Sequence, residues 1–153
     1  MSTRNTAIFD LDGTLLNSLQ DLTNSVNYCM KKYGGPSYTC EEIREKVGNG
    51  IYVLIEKSLP QGRSNPNYDA CMKEFQIYYK AHMLDNTKPY EGIMDALYRL
   101  KEHGYHLAIV SNKFDAAVKK LRQDFFDDVI PVAIGESPSI HKTGTGYCFS
   151  GNA

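Results

Sequence analysis

Two aspartates stand two residues apart, directly behind a short apolar run: Ala7-Ile8-Phe9 leads into Asp10-Leu11-Asp12-Gly13-Thr14. The pattern is that of a buried strand whose last residues turn into a polar site. In open α/β sheets, ligands bind outside the carboxyl ends of the strands. A carboxylate placed there can act as a nucleophile or carry a proton. The same letters also fit a polar turn with an Asx cap, because Asp-Gly is common turn chemistry. A calcium loop is a third reading, but Leu15 and Leu16 follow where an EF-hand needs further oxygen ligands. Farther along, Leu107-Ala108-Ile109-Val110 ends in Ser111-Asn112-Lys113. A serine at a strand end is, on its own, most simply a helix N-cap.

These residues need strands to carry them and helices to cover the strands. Ala7 to Asp10 reads as the first strand. Ser18, with Asp21 three residues later, has the form of a capping box with Asp in place of Glu or Gln. Leu22, Val26, Cys29 or Met30, and Tyr33 then recur at helical spacing until Gly34-Gly35-Pro36. Thr39 and Glu42 form a second capping box, opening a short helix with Ile43 and Val47 inward. Helices are expected over Ile51 to Leu59 and over Tyr68 to Met83, the second with Cys71 or Met72, Phe75, Tyr79 and Met83 along one side. Ile93, Leu97 and Leu100 mark another, closed by His103-Gly104. His106 to Val110 reads as a strand, Asp115 to Asp124 as a helix, and Val132 to Ile134 as a strand ending at Gly135-Glu136. The tail from Thr143 onward reads as neither helix nor strand. This order predicts a parallel sheet with a helical insert after its first strand.

The bulk properties narrow the partners. The 153 residues suffice for one medium domain, or for a small core plus an insert. Seventeen basic against 18 acidic residues leave a formal charge of −1, which argues against nucleic acid and against an anionic membrane surface. No apolar run approaches the length that spans a bilayer, and Met1 to Thr6 lead into the first strand without a signal-peptide pattern. Cys29, Cys40, Cys71 and Cys148 form no Cys-x-x-Cys pair and have no zinc spacing. They read as free thiols of a reducing, cytoplasmic location. Oligomeric state is left open.

The stretch Asp10-Leu11-Asp12-Gly13-Thr14-Leu15 resembles the first motif of the haloacid dehalogenase-like (HAD) phosphohydrolases, and Leu107 to Lys113 resembles the second. The resemblance covers roughly Ala7 to Lys142. It implies an α/β fold: a HAD-like Rossmannoid parallel sheet, incomplete at its C-terminal side, with an inserted α-helical cap. The core would take residues 1–16 and 87–153 and the cap 17–86, with hinges near Leu15–Ser18 and Leu84–Pro89 for a closing lid. The implied chemistry is that of a Mg²⁺-dependent phosphate monoester hydrolase of phosphoglycolate phosphatase type. It would act through an aspartyl phosphate on a small phosphorylated metabolite. Asp10 would be the nucleophile and Asp12 the general acid/base. Both would serve the metal, Asp12 through its main-chain carbonyl. Gly13, Thr14, Ser111 and Asn112 would shape and bind the phosphate. The family then supplies a lysine, which in the phosphoglycolate phosphatase branch opens a Lys-Pro-x-Pro segment soon after a Gly-Glu strand end. Lys142 follows Gly135-Glu136 at that place, but Thr143-Gly144-Thr145-Gly146 stands where Pro-x-Pro would. Lys142 reads equally as a solvated tail lysine.

The family's fourth motif, an acidic pair that usually begins Gly-Asp on a further strand, has no counterpart. Asp127 and Asp128 precede a strand and read as surface residues. Read one base later, the codons open to the tail permit Pro-Ala-Pro-Asp after Lys142. A frameshifted, truncated phosphatase is therefore a hypothesis, and the encoding DNA tests it: a shifted frame that fails to continue into a Gly-Asp strand ends it. Without the fourth motif, metal binding and activity are expected to be weak. The alternatives are an inactive fragment, a phosphate-binding remnant, or a phosphoryl transferase similar to β-phosphoglucomutase. A dehalogenase is disfavoured, because that branch lacks the second Asp. Arg44 and Lys46 read either as contacts for a second anionic group on the substrate or as a solvated helix end.

Overall fold

The residues that this computed structural model describes, 5–137, 140–143 and 146–149, the last two stretches by backbone alone, form fourteen elements. In chain order, leaving aside one 3-10 turn at Gly62–Ser64, they are β1 (Thr6–Phe9), β2 (Leu16–Asn17), α1 (Leu19–Tyr33), α2 (Cys40–Arg44), α3 (Gly50–Ser58), α4 (Tyr68–His82), β3 (Lys88–Pro89), α5 (Ile93–Glu102), β4 (His106–Phe114), α6 (Asp115–Phe126), β5 (Val132–Glu136), β6 (Ile140–Thr143) and β7 (Gly146–Phe149). The chain divides into two compact units, one of residues 1–17 and 89–153, the other of residues 18–88.

The first unit is built on a parallel sheet in the order β1-β4-β5. Each crossover runs in the same direction across the sheet, and right-handed crossovers of that kind place their helices on one face. On the covered side Leu107 and Ile109 are buried with Ala117, Val118 and Leu121 of α6. The register aligns Ile8, Ala108 and Val132 across the other face. There Ile8 is 60% exposed and Val132 48%. A two-stranded ribbon pairs β2 with β3, and β6 pairs with β7 as an antiparallel hairpin. The hairpin corrects the expectation of an unstructured tail. Ile140, Thr143, Tyr147 and Phe149 are strand formers, and Thr143 pairs with Gly146 across a two-residue link, the spacing of a tight hairpin.

The second unit is helical. Val26, Cys29, Met30, Ile55, Phe75 and Tyr79 are at most 1% exposed. Cys29 and Cys71 are neighbours, with the Cys29 Sγ 4.0 Å from the Cys71 carbonyl oxygen. Hydrogen bonding to Cys71, then burial, pushes the Cys29 thiol well above its ordinary pKa, so it is a packing residue and an inert one. Thr39 and Glu42 form the expected capping box on α2. Those bonds, first of all from the Thr39 backbone, hold the Glu42 carboxyl below the usual range.

The other expected capping box does not form. Ser18 makes no side-chain capping bond to α1, and Asp21 is 2% exposed. Its carboxylate instead accepts from four donors at the far end of the unit. These are the Asn86 main-chain N–H at 2.9 Å, the Asn86 side-chain amide at 2.8 Å, the Thr87 main-chain N–H at 2.8 Å and the Thr87 hydroxyl at 2.7 Å. A short acid one turn into a helix can cap locally or reach across the chain. Here the distant donors outnumber the single one a cap would satisfy. Asp21 thus ties the first turn of α1 to the segment that leaves α4, and closes the helical unit on itself.

Candidate active site

β1 ends at Phe9, and the next residues turn sharply. The Leu11 carbonyl accepts from the main-chain N–H groups of Leu15 and Leu16, both at 3.0 Å, and Gly13 takes a positive φ of 73°. Leu11, Leu15 and Leu16 are at most 1% exposed. Three buried leucines therefore anchor a loop whose polar residues lie between them. Gly13 and Thr14 are exposed at its tip, and Asp10 and Asp12 are partly buried. The Leu11 N–H donates to Asp10 Oδ1 at 2.8 Å, which fixes that carboxylate at the strand end.

β4 brings the second group of residues. It runs to Phe114, four residues beyond the expected end, so Ser111, Asn112 and Lys113 lie on the strand and not in a loop. Register explains how they are displayed. Val110 pairs with Ile134 and Phe114 with Glu136, so three residues of β4 face Gly135 alone. Such a bulge re-aims side chains and is common beside active sites. Gly135 makes it sterically feasible, because a Cβ there would come 2.7 Å from the Lys113 carbonyl oxygen and 2.5 Å from the Asp115 Cα. The Gly135 N–H also donates to Asp115 Oδ1 at 3.0 Å. Within the bulge the Lys113 N–H donates to Ser111 Oγ at 3.1 Å. The serine that could have been a helix cap instead braces the bulge. α6 begins only at Asp115.

The two groups meet through one contact that the sequence reading did not anticipate. Lys113 Nζ lies 3.1 Å from Asp12 Oδ2, with the lysine side chain 2% exposed and the aspartate 14%. Lysine is almost never buried unless paired, and Lys113 is the single buried cationic side chain among the described residues. The signal was present in Ser111-Asn112-Lys113, but the family pattern drew attention to the later lysine. Lys142 lies on β6, where its backbone pairs with Tyr147, and its side chain falls outside the described residues. Arg44 is exposed and lies 3.8 Å from Glu41, and the Lys46 ammonium sits 5.0 Å from the centre of the Tyr38 ring. Asp127 and Asp128 are engaged at the surface by Arg122 and Tyr98.

For a metal, the donors at the end of β1 are carboxylate and carbonyl oxygens, which suit a hard divalent cation. The described residues contain no group of three or more His, Cys, Asp or Glu able to hold a metal by themselves. Mg²⁺ binds through one or two carboxylates and fills the rest of its shell with water and substrate phosphate. Asp12 already shares an oxygen with Lys113, so its main-chain carbonyl and the Asp10 carboxylate are the donors that fit. No helix among the described residues is long and apolar enough to cross a membrane.

Several known proteins are similar to this chain. The chain is 34% identical over 118 residues to the phosphoglycolate phosphatase of Aquifex aeolicus, covering 74% of this chain and 52% of that protein. It is 34% identical over 120 residues to phosphoglycolate phosphatase 1 of Pseudomonas aeruginosa, covering 74% and 43%. The chain thus spans about half the length of the curated relatives it matches. A solved structure of a candidate phosphoglycolate phosphatase from Lactobacillus delbrueckii subsp. bulgaricus superposes with a TM-score of 0.83 at 28% identity, over 93% of this chain and 69% of that one. A family profile described as haloacid dehalogenase-like hydrolase matches residues 7–139. With an α/β unit whose paired aspartates follow the first strand, and with residues 7–139 matched by the profile, the chain belongs to the haloacid dehalogenase-like hydrolases.

Proposed function

We propose that the sheet unit carries the site of a Mg²⁺-dependent phosphate monoester hydrolase acting on a small phosphorylated metabolite, 2-phosphoglycolate being the first candidate from the relatives' names. One observation carries the reading. Asp12 of the carboxylate pair after β1 meets the buried ammonium of Lys113, two residues beyond Ser111 on β4, at the carboxyl ends of two adjacent parallel strands. Phosphoryl transfer is mostly positioning and charge neutralisation, and this is where both can be supplied.

In this reading an Asp10 oxygen attacks phosphorus and the bond from phosphorus to the ester oxygen breaks. Asp12 gives its proton to the departing oxygen, leaving an acyl phosphate on Asp10. Asp12 then takes a proton from the water that attacks that phosphorus, and inorganic phosphate leaves with Asp10 restored. Ser111 donates its hydroxyl hydrogen to a phosphoryl oxygen, its own oxygen already accepting from Lys113 N–H. Asn112 adds an amide donor, while Gly13 and Thr14 shape the loop over the phosphate. Bound by the Asp10 carboxylate and the Asp12 carbonyl, Mg²⁺ would neutralise charge between the anionic nucleophile and the anionic substrate.

The test is phosphate release from 2-phosphoglycolate in Mg²⁺, with Asp10→Asn beside the unaltered chain. Release that disappears in the variant supports the reading; equal background release from both overturns it.

A further inference from the structure

Cys29 on α1 and Cys71 on α4 stand forty-two positions apart in the chain, yet they are neighbours in the core of the helical unit. We propose that they are an oxidisable dithiol, which a hydroperoxide converts to a disulfide joining α1 to α4. The pair lies wholly within the helical unit, so it stands independently of the phosphatase reading.

The Cys29 Sγ lies 4.0 Å from the Cys71 carbonyl oxygen, and the two thiols are hydrogen-bonded to each other. A sulfur that reaches both the thiol and the main chain of its partner has the close backbone approach that a disulfide needs. Contacts around the pair hold the helices at this place. Lys32 Nζ lies 2.8 Å from Glu74 Oε2, the Tyr28 hydroxyl donates to Glu74 Oε1 at 3.2 Å, and the Tyr28 ring stacks on Tyr78 with centroids 3.9 Å apart. The two sulfurs also differ in a way that orders the chemistry. Cys29 keeps its proton, whereas its hydrogen bond to Cys71 holds the Cys71 thiol below its ordinary pKa. Thiolate is the form that reacts, so Cys71 attacks first and Cys29, inert by itself, resolves. The Cys71 sulfur attacks the outer oxygen of the hydroperoxide; an S–O bond forms, the O–O bond breaks, and the alkoxide leaves as the alcohol with the Cys71 proton. The Cys29 sulfur then attacks the Cys71 sulfenic sulfur, and the hydroxyl departs with the Cys29 proton as water. The two sulfurs together lose two electrons, which the hydroperoxide takes up. Both cysteines are 0% exposed, so the oxidant enters through local opening of the helical unit.

Hydrogen peroxide is the probe. The folded full chain is exposed to it, quenched, unfolded, alkylated and mapped by mass spectrometry. A Cys29–Cys71 cross-link should accumulate and vanish on treatment with dithiothreitol. In Cys29→Ala a sulfenic acid should remain on Cys71 and be captured by dimedone. In Cys71→Ala, capture at Cys29 should be at least tenfold lower. The same exposure of the chain unfolded in urea should scatter oxidation over all four cysteines. Cys29 and Cys71 that both stay alkylatable while Cys40 is oxidised overturn the pairing, as do disulfides that join other cysteines. Equal capture at the two positions in the two variants overturns the order of attack. The cross-link is read in the unaltered chain, so a variant that fails to fold leaves the pairing decided.

Discussion

In the helical unit, α1, α3 and α4 turn apolar stripes toward one another, and Val26, Ile55, Phe75 and Tyr79 are fully buried. In the sheet unit, helices cover one face, and Ile8, Val132 and Ile134 stay 37–60% exposed on the other. Parallel sheets normally bury both faces, which is why their strands read as continuous apolar runs. The strands here have that composition without that burial. The comparison separates two kinds of order. The helical unit draws its stability from a closed core and a polar clasp at its foot. The sheet unit draws order at the strand ends from local devices: a leucine-anchored loop, a bulge and a buried ion pair. Its site can therefore be well formed while one face of its sheet stays open.

The largest expected effect tests the closed unit. Asp21→Ala removes the acceptor of four donors and leaves two main-chain N–H groups beside Thr87 and Asn86 without it. Stranded buried donors cost roughly 1–3 kcal/mol each. A loss of about 3–5 kcal/mol in urea unfolding is expected, with Asp21→Asn costing about half as much because one carbonyl oxygen remains. A loss under about 1 kcal/mol would mean that packing alone closes the helical unit, and the contrast with the sheet unit would lose its polar half.

The same residue shows what was legible in the sequence. Ser18 with Asp21 and Thr39 with Glu42 carry the same local pattern. The second forms a capping box, whereas the first gives its acid to donors sixty-five and sixty-six residues away. Short-range letters decide a cap only when no distant group competes for the side chain. Spacing sufficed for the long helices, since Leu22, Val26, Phe75 and Tyr79 are buried at the positions their periodicity chose. The parallel strands were readable for the same reason. The site was harder to read. Asp10 and Asp12 stand out by type, and the structure brings Asp12 to Lys113 on β4, two residues beyond Ser111. Lys113 was visible in Ser111-Asn112-Lys113, but nothing in a linear pattern reveals the bulge that carries it to Asp12. Its sign was Gly135, twenty-two positions later, where only a missing Cβ lets the two strands approach. The hairpin of β6 and β7 was overlooked for want of an alternating run, although strand formers flank its link.

An intermediate effect probes the local devices of the sheet unit. Gly135→Ala forces a methyl against the backbone of Lys113 and Asp115. Overpacking of this kind costs typically 1–3 kcal/mol. The loss should appear in urea unfolding. It should be accompanied by slower phosphate release from 2-phosphoglycolate, because relief of the clash moves the strand segment that carries Ser111 and Lys113. A variant that loses stability while keeping full phosphate release would show that the bulge is a packing detail and not what positions Ser111 and Lys113.

The smallest effect addresses the open face directly. Val26 in the helical core and Ile8 on the sheet are both apolar, yet one is 0% and the other 60% exposed. Replacing Val26 by Thr buries a hydroxyl, a change that costs about 1–3 kcal/mol where no partner is built for it. Replacing Ile8 by Thr exchanges one strand former for another at a position already in water, so its stability should stay within about 0.5 kcal/mol of the unaltered chain. The comparison is sharpened by a second readout, since a contiguous apolar face is a site of self-association. Light scattering at rising concentration should show less association for Ile8→Thr than for the unaltered chain, with Val26→Thr giving no such relief while folded. If Ile8→Thr instead costs as much as Val26→Thr, Ile8 is covered in solution and both units bury their apolar faces alike.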